Sequence, residues 1–406
     1  MYNQRPPRFF VIYLSALIAV GPFSMELYLP AMSAMASYFN TNMAALNYTV
    51  TAFFFGAAIG QLLGGPLSDQ IGRKPIVLSG LLIYMLATVS IANANSVEAI
   101  QWLRALQGMG SGAAGVVSMA LLRDVYPPQD AARKIPVVIT VMMLAPLVAP
   151  LMGSLLVYFG WRVIFFTLLG FGMLLFSWQW LAIPETNQPK GNLNITQWLG
   201  NFKVVISHRV DGKLIATRYI LAGGFCSGVL MTLITNAAFI YLEYFSIPVG
   251  VFPLYFSANV VCLIMVTLCV GKAVKHVEPQ TLFKVGTLFQ CLILGCLTLL
   301  VSVGVSDKQL IIPCLALAIG CGGLIQPCIT SMLMAYFRRY SGSAASLATA
   351  IKFSIGGLLG GISNVFFNGT LAPVSLVMLC SSIMCCALLF SIPKQPLALI
   401  KEDKSL

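Results

Sequence analysis

The sequence GGPLSDQIGRKP, from Gly64 to Pro75, joins two long apolar segments at about residues 44–68 and 75–95. Its glycines permit tight backbone geometry, and Pro75 suits the first turn of a new helix. Only 9% of the 406 residues are charged, so a short stretch that holds one acid and two bases is an unusually polar junction. We interpret it as a Gly-Gly-Pro turn between two membrane helices.

Three charged residues define this junction. Asp69 and Arg73, with Lys74 beside them, are placed to form an ion pair across the turn. Many membrane proteins have a basic loop with a local ion pair, but the order of residues here is more particular. The pattern G-x-L-x-D-x-x-G-R-K resembles the loop between helices 2 and 3 of the major facilitator superfamily.

Apolar segments of about twenty residues recur along the whole chain, in which 58% of the residues are hydrophobic. Each segment is long enough to cross about 30 Å of hydrocarbon as a helix. The first lacks a convincing cleavage site and is too long for a signal sequence, so we expect it to be retained. We predict twelve spans, at residues 9–31, 44–68, 75–95, 99–121, 135–158, 162–184, 217–243, 250–271, 281–303, 309–335, 343–367 and 371–392.

The longest polar stretch, residues 185–216, divides these spans into six and six. We therefore predict an all-α membrane protein with twelve transmembrane helices in two six-helix bundles, residues 1–184 and 217–406, joined by a cytoplasmic linker. Within the linker, ITQWLGNFKVVISHR alternates apolar and basic residues. This segment is a candidate amphipathic helix on the inner leaflet.

A weak internal echo suggests that the two halves are structural repeats. Gly108 and Gly110 in the fourth span recur as Gly320 and Gly322 in the tenth, about 212 residues later. The echo preserves packing residues and not charges, because alanine stands where the arginine of the fourth span would recur.

The net charge of +12 is a signal of membrane topology. If the N-terminus is inside, 20 of the 24 lysines and arginines lie in inside loops and tails. Only two, Arg162 and Lys308, lie in outside loops, and the remaining two lie within spans. This bias predicts that both termini are cytoplasmic. We expect a multi-pass protein of the bacterial inner membrane that contacts the lipid bilayer and binds no nucleic acid.

Residues that carry enzyme or metal chemistry are sparse. All eleven cysteines lie at or after Cys226, without metal-ligand spacing, and we interpret them as packing residues. His208 and His276, both in inner loops, are too few for a metal site. The chain has no HExxH motif, no nucleotide-binding Gly-rich loop and no Ser/His/Asp set. We therefore predict that it is not an enzyme and uses neither a cofactor nor a metal.

Glu26 is an acid within the otherwise apolar first span, which ends MELYLPAM. A charged carboxylate near the centre of a membrane helix costs about 2.5–3.5 kcal/mol, so this side chain should face protein or water. Pro22 can bend the helix just before it. We interpret Glu26 as a candidate proton carrier; the alternative is an acid near the outer interface that simply reaches water.

The fourth span, WLRALQGMGSGAAG, places Arg104 and Gln107 one turn apart. A guanidinium inside a membrane needs a partner, and Glu26 is the obvious acid at comparable depth in this half. Arg104 is thus a candidate to tune the proton affinity of Glu26 or to contact substrate. The alternative is a polar tie between helices.

Three spans carry small residues that permit close helix contact. The second span has Gly56, Gly60 and Gly64 at four-residue spacing, and the eleventh has Gly356 and Gly360. The fifth reads MLAPLVAPLMGSLL, in which Ala145, Ala149 and Gly153 form one face beside Pro146 and Pro150. Such faces suit helices that slide against each other, although a rigid bundle also uses them.

Six motifs in order narrow the resemblance to the bicyclomycin/chloramphenicol-resistance (Bcr/CflA) branch of twelve-helix drug/proton antiporters. They are ELYLPAM, GPLSDQIGRKP, LRALQGMGSGAA, RDVYPPQDAAR, APLVAPLMGSLL and IPET, all in the N-terminal half. The C-terminal half matches mainly in its spans and glycines.

The resemblance implies roles for several residues. Glu26 takes the place of an acid, usually Asp, that acts in proton coupling, and Arg104 matches the arginine of the fourth helix. The matched inner-side charge cluster, which latches the outward-facing state, is Asp69, Arg73 and Arg123. The matched antiporter motif is Pro146, Pro150 and Gly153, with Ala145 and Ala149 in place of frequent glycines.

Lys352, in SLATAIKFSIGG, departs from that branch, which more often has a neutral polar residue in the eleventh span. A buried ammonium group indicates either an internal acid or an anionic substrate. Glu243, at the outer end of the seventh span, is a candidate for that acid. If Lys352 faces the cavity, lipophilic cations are disfavoured as substrates.

The predicted function is proton-coupled export of small molecules by alternating access, a drug/proton antiport of the kind that underlies multidrug efflux and antibiotic resistance. The alternative is a dedicated transporter of an endogenous anionic metabolite or siderophore, with Lys352 contacting the anion. We expect a monomer whose partners are a small-molecule substrate and protons. Polarity and depth select the candidate cavity residues Glu26, Tyr28, Arg104, Gln107, Asn236, Tyr255, Asn259 and Lys352.

Overall fold

A computed structural model describes residues 9–187, 195–210, 212–337 and 341–392. Within these ranges, twelve helical segments are long and apolar enough to cross a membrane. Each corresponds to one of the twelve predicted spans, so the predicted all-α membrane fold is confirmed. The first span is longer than expected, since it continues from Phe10 to Tyr38.

The helices form two compact units. The first holds α1 to α7 together with residues 247–253. A 3₁₀ turn, Leu29–Ala31, lies between α1 and α2, and another, Val157–Phe159, follows α6. The helices of this unit are α1 Phe10–Glu26, α2 Met32–Tyr38, α3 Met43–Ile71, α4 Arg73–Ala92, α5 Val97–Val125, α6 Pro128–Leu156 and α7 Trp161–Ala182.

The second unit begins with a helix and a small hairpin that pack within it. The helix, α8, spans Ile195–Ser207, where the sequence predicts an amphipathic helix; the antiparallel hairpin of β1 Arg209–Val210 and β2 Lys213–Leu214 was not predicted. At its C-terminal end, α9 continues into a π-helix, Phe239–Tyr244. The remaining helices are α9 Ile215–Ala238, α10 Phe252–Ala273, α11 Pro279–Ser302, α12 Lys308–Tyr336, α13 Ser341–Val365 and α14 Ala372–Phe390.

Short polar side chains begin several of these helices. Asn42 accepts a hydrogen bond from the Ala45 N–H at 2.9 Å and so caps α3. Ser96 caps α5 in the same way. Each cap satisfies a backbone N–H that has no partner within the first helical turn, and a helix that starts in a short connection depends on such partners.

The stretch Gly64–Pro75 is mostly helical, which corrects the expected Gly-Gly-Pro turn. Helix α3 continues through Pro66 to Ile71, α4 starts at Arg73, and Gly72 alone separates them. A 29-residue helix tolerates the one backbone hydrogen bond that Pro66 removes. The change of direction falls on Gly72, whose φ of +116° is a conformation that L side chains rarely adopt. Pro75 lies in the first turn of α4, as predicted.

Glycines bring α3 and α5 into backbone contact. A Cβ added at Gly60 would overlap the backbone of Met109, and one added at Gly108 would overlap the backbone of Phe53. The glycines of α3 therefore face the backbone of α5, and Gly108 of α5 faces the backbone of α3. This close approach brings the polar residues of α5 next to their neighbours in the first unit.

We expect Gly60→Val to destabilise the protein by about 1–3 kcal/mol or more, because neither helix backbone can move away without separating the pair. Thermal unfolding of the purified protein in detergent measures this effect. Gly170→Val is the matched control, since a Cβ at this α7 glycine meets no described atom within 4 Å. An equal loss of stability in both variants would show that helix propensity and not close packing is responsible.

Candidate functional site

Glu26 and Arg104 are the most deeply buried acidic and basic side chains predicted for the site in the first unit. Glu26 is 4% exposed and Arg104 is fully buried. Glu26 is the last residue of α1, directly before the Leu27–Ala31 segment in which the α-helix is interrupted. Its Oε2 atom has no hydrogen-bond partner among the described residues. The interior thus holds a carboxyl group at the point where the helix geometry changes.

Arg104 is held by neutral groups. Its guanidinium donates to Gln107 Oε1 at 2.7 Å and lies 4.5 Å from the ring centre of Tyr28 and 4.6 Å from that of Phe53. A further contact reaches the backbone oxygen of Ser24 at 3.5 Å. Ring faces and an amide oxygen stabilise a buried guanidinium without a counter-ion.

Glu26, the candidate acid partner of Arg104, does not form an ion pair with it: no carboxylate among the described residues lies within 4.0 Å of the Arg104 guanidinium. Helical phase explains this. Residues four apart share a helix face, so Ser24 and Tyr28 lie toward Arg104, whereas Glu26 lies about half a turn away from both. Glu26 is the expected partner because it lies at a depth in the membrane similar to that of Arg104, but the two side chains point in different directions.

A hydrogen-bond network extends from Arg104 through four helices. Gln107 donates to Thr88 Oγ1 at 2.8 Å, which links α5 to α4. Tyr28 bonds Thr49 at 2.9 Å, and the Ser24 and Tyr84 hydroxyls are 2.7 Å apart. The structure therefore brings the candidate cavity residues Tyr28, Arg104 and Gln107 together, in the polar tie between helices that is the alternative interpretation of Arg104.

At the junction of α3 and α4, Arg73 forms the predicted ion pair with Asp69, at 2.5 Å. It also bonds Asp124 at 3.0 Å and Ser68 at 2.7 Å. Arg123, predicted as part of this cluster, is exposed and makes no ion pair with any residue that the structure describes. Asp124, its neighbour in sequence, occupies that place.

The phase of α5 is the signal that identifies Asp124. Val117 and Leu121 are fully buried, and the i, i+4, i+7 spacing places Asp124 on their face. Arg123 is one residue out of phase and points to the exposed side. The sequence motif RDVYPPQDAAR contains both residues, so the motif alone did not distinguish them.

Glu185, in the IPET motif after α7, caps the start of α4. Its two carboxylate oxygens accept hydrogen bonds from the backbone N–H groups of Arg73, at 2.8 Å, and Lys74, at 3.0 Å. A Cβ at Gly72 would lie 2.5 Å from Glu185 Oε2, so a larger residue there would displace this carboxylate from its cap in addition to straining φ. Glu185 is a residue of this cluster to which the sequence assigned no role.

In the second unit, two predicted cavity residues are bound to their neighbours. Asn236 donates to the backbone oxygen of Thr232 and to Ser363 Oγ, both at 2.9 Å. Asn259 donates to the Tyr241 hydroxyl at 2.8 Å and to the backbone oxygen of Tyr255 at 3.2 Å. Both asparagines are buried, whereas Tyr255 is half-buried. These amides fix neighbouring helices in position.

Lys352 lies half-buried on α13, and among the described residues no carboxylate pairs with it. The proposed pairing with Glu243 is wrong because of helix register. A Cβ at Gly224 of α9 would contact Ile351 and Ile355, which fixes the level of Lys352 against α9. Glu243 lies in the exposed π-helical end of the same span, more than about 20 Å further along the axis.

The described residues contain no group of three His, Cys, Asp or Glu side chains that could hold a metal ion. Twelve apolar spans, a charged junction between the second and third, and a buried acid in the first agree with one family. The sequence profile of the Major Facilitator Superfamily matches residues 14–361. This chain belongs to that superfamily. Its members are transporters, so the chain is not an enzyme.

Similar proteins place this superfamily member near drug-resistance transporters. It is 28% identical over 383 residues to the bicyclomycin resistance protein homolog of Haemophilus influenzae, across 93% of this chain and 94% of that protein. It is 36% identical over 179 residues to the chloramphenicol resistance protein of Pseudomonas aeruginosa, across 43% and 42% of the two chains. These relatives confirm the resemblance to the Bcr/CflA branch.

Solved structures show the same fold. The D-xylose-proton symporter matches with a TM-score of 0.73 over 95% of this chain and 98% of that chain, at 14% identity. A bacterial homolog of the human lysosomal transporter Spinster matches with a TM-score of 0.72 over 94% and 96%, at 15% identity. Likeness at this level of identity concerns the fold alone.

In this major facilitator protein, α6, which contains the sequence APLVAPLMGSLL, packs against the interrupted end of the first span. A Cβ at Gly153 would overlap the backbone of Leu27 and lie 3.1 Å from the Pro30 ring. Ala145 and Ala149 are buried on the same face. Pro146 and Pro150 lie within α6, as expected. The small face of α6 therefore adjoins the residues that follow Glu26.

We expect Asp124→Asn to lower the free energy of unfolding by about 1–3 kcal/mol. Asp69→Asn should lower it by less than about 1 kcal/mol. Both carboxylates pair with Arg73, but the Asp124 side chain is 25% exposed and the Asp69 side chain 63%, so water screens the second pair more. Asp124 also accepts a hydrogen bond from Thr186. Thermal unfolding in detergent at low and high salt compares the two variants, and a larger effect of Asp69→Asn would contradict this ranking.

Proposed function

We propose that this chain is a proton-coupled secondary transporter that exports small molecules by alternating access, in drug/proton antiport. The observation that supports this most directly is the Glu26 carboxyl group, buried and with one oxygen unpartnered in the described part of the chain, at the interruption of the first span. Drug-resistance relatives supply the substrate class.

Glu26 is suited to alternate between two occupants. A buried carboxylate without a partner is costly, and either a proton or a hydrogen-bond donor of the substrate relieves that cost. The two occupants therefore compete for one group. Competition of this kind couples proton entry to substrate release, as antiport requires.

The helix interruption after Glu26 provides a route from protonation to movement. A 3₁₀ segment within a longer helix often marks a hinge. Pro30 lies in this segment and Leu27 lies just before it, and both contact Gly153 of α6. A change at Glu26 therefore acts on a close contact between helices. Arg104 holds the adjacent face of the first span through Tyr28 and Ser24.

The membrane potential supplies the driving force. A proton that moves inward gains about 2.3 kcal/mol per 100 mV, which corresponds to roughly a fiftyfold gradient of a neutral substrate. The distribution of lysine and arginine supports cytoplasmic termini, and the twelve apolar helices with bacterial relatives support a bacterial inner membrane. We propose that the protein works there as a monomer, with the charge cluster at Arg73, including Asp69, Asp124 and Glu185, as its conformational latch.

We expect substrate to release protons from the detergent-purified wild-type protein and not from Glu26→Gln, because the amide does not titrate. The measurement uses a pH-sensitive dye in weak buffer with lipophilic cations, neutral antibiotics and polycarboxylate chelators. Glu98→Gln is the matched control, since Glu98 lies on the exposed surface of α5. Proton release that persists in Glu26→Gln, or binding without release in the wild type, would contradict the coupling role.

A second candidate function is transport of an endogenous anionic metabolite or siderophore. The observation in its favour is Lys352, an ammonium group partly buried in α13 that no described carboxylate neutralises. A substrate carboxylate would supply the missing negative charge. Lipophilic cations would then be poor ligands.

We expect Lys352→Gln to weaken binding of a polycarboxylate at least about tenfold if the anion contacts this residue, since a charge-assisted hydrogen bond of about 1.5–3 kcal/mol is lost. Lys352→Arg should retain most of the affinity. Isothermal titration calorimetry measures both, with the exposed Lys308→Gln as control. Unchanged polycarboxylate affinity in Lys352→Gln would exclude the anion contact and leave drug export as the better interpretation.

A further inference from the structure

Three cationic side chains converge on the C-terminal end of α14. Arg218 Nη1 donates to the backbone oxygen of Ser391 at 2.6 Å, and Lys213 Nζ donates to the same oxygen at 3.4 Å. Lys284 Nζ lies 5.4 Å from the ring centre of Phe390. We call Lys213, Arg218 and Lys284 the α14 cation cluster.

Separate elements of the second unit bring the cluster together. Lys213 lies on β2, opposite Val210 of the hairpin, and Arg218 lies in the first turn of α9. Lys284 lies near the start of α11. The hairpin turns the chain between α8 and α9, and this turn places Lys213 over the end of α14.

The cluster has more positive charge than the described residues around it neutralise. No ion pair joins any of the three to a carboxylate within the described residues. The C-terminus of a helix carries the equivalent of about half a negative charge, so α14 offsets only a fraction of three cations. Arg218 donates one of its five N–H groups to Ser391, and Lys213 donates one of its three in a long contact to the same oxygen. The other N–H groups of both side chains can therefore bind an anion.

The surface next to the cluster is both basic and apolar. Helix α8 buries Phe202 and Val205 and exposes Lys203 and Ile206. Arg209 on β1 is exposed as well. A helix with a buried face, an exposed lysine and an exposed apolar residue, followed by an exposed arginine, is suited to lie at a membrane surface.

Apolar side chains continue from the cluster along the membrane-spanning helices. Phe390 is 49% exposed, Val285 beside Lys284 is 42% exposed, and Leu288 one turn further is 51% exposed. Cations at the helix ends followed by exposed apolar side chains match a ligand with an anionic head and a hydrocarbon chain. A soluble phosphate compound would use only the first part of this surface.

We propose that the α14 cation cluster binds the headgroup of an anionic phospholipid, whose acyl chains lie along α11 and α14. Arg218 and Lys213 bond the phosphate, and Lys284 adds charge from the neighbouring helix. Charge-assisted hydrogen bonds from arginine and lysine are the usual means by which proteins hold phosphate. Lys203 and Arg209 extend the same basic surface along α8 and the hairpin.

The test is native mass spectrometry of the full chain in detergent, titrated with phosphatidylglycerol and with phosphatidylcholine of the same acyl length. We expect Arg218→Gln/Lys284→Gln to weaken phosphatidylglycerol binding about 25-fold at low salt, since each basic side chain contributes roughly fivefold near anionic lipid. The wild type should prefer phosphatidylglycerol, and added salt should reduce this preference.

Arg133→Gln/Lys134→Gln is the matched control, because it removes one arginine and one lysine from the first unit and causes the same change of charge. It should alter phosphatidylglycerol binding by less than about twofold. If the test variant does not fold, Lys284→Gln and Lys134→Gln repeat the comparison with single changes. Equal weakening in both variants, equal binding of phosphatidylcholine, or displacement of phosphatidylglycerol by inorganic phosphate would overturn the proposal.

Discussion

The first unit is arranged around the cost of placing charge in an apolar interior. Arg104 offsets much of that cost with Gln107 and with the rings of Tyr28 and Phe53, although its Nε atom has no hydrogen-bond partner among the described residues. Glu26 has no comparable set of partners among the described residues. One buried charge is therefore a fixed part of the fold, whereas the other depends on what binds to it. This difference is why we propose Glu26, and not Arg104, as the residue that responds to a proton or a substrate.

At the junction of α3 and α4, by contrast, Arg73 is paired with charges of the opposite sign. Here Arg73 is shared by Asp69 and Asp124, while Glu185 accepts the backbone N–H groups at the start of α4. The carboxylates come from three different segments, so the cluster joins the ends of α3, α4 and α5 and the segment after α7. Because charge-assisted bonds depend on distance and angle, a small movement of any of these ends weakens several bonds together. A cluster of this kind suits a switch between two discrete arrangements.

Composition and periodicity predicted the twelve spans, the small-residue faces and the Asp69–Arg73 pair because these follow from residues close together in sequence. They did not predict partners that depend on helical phase. Asp124 and Arg123 differ by one residue, and the 100° between them decides which one contacts Arg73. Likewise, Glu26 and Arg104 have similar depth but different directions, and helix register separates Glu243 from Lys352. The hairpin of β1 and β2 has strands of two residues, too short for any alternating pattern to reveal.

The two halves repeat the fold more faithfully than its charges. Gly108 and Gly320 occupy corresponding positions 212 residues apart. At the same offset, the Leu29–Ala31 interruption of the first span corresponds to residues within the π-helix Phe239–Tyr244. Both halves thus leave α-helical geometry at the corresponding place. Glu26, however, corresponds to Ala238, and Arg104 to Ala316. Since the interruption occurs with and without the acid, it belongs to the architecture, and the proton chemistry that we propose would be added to one half of it by the carboxyl group.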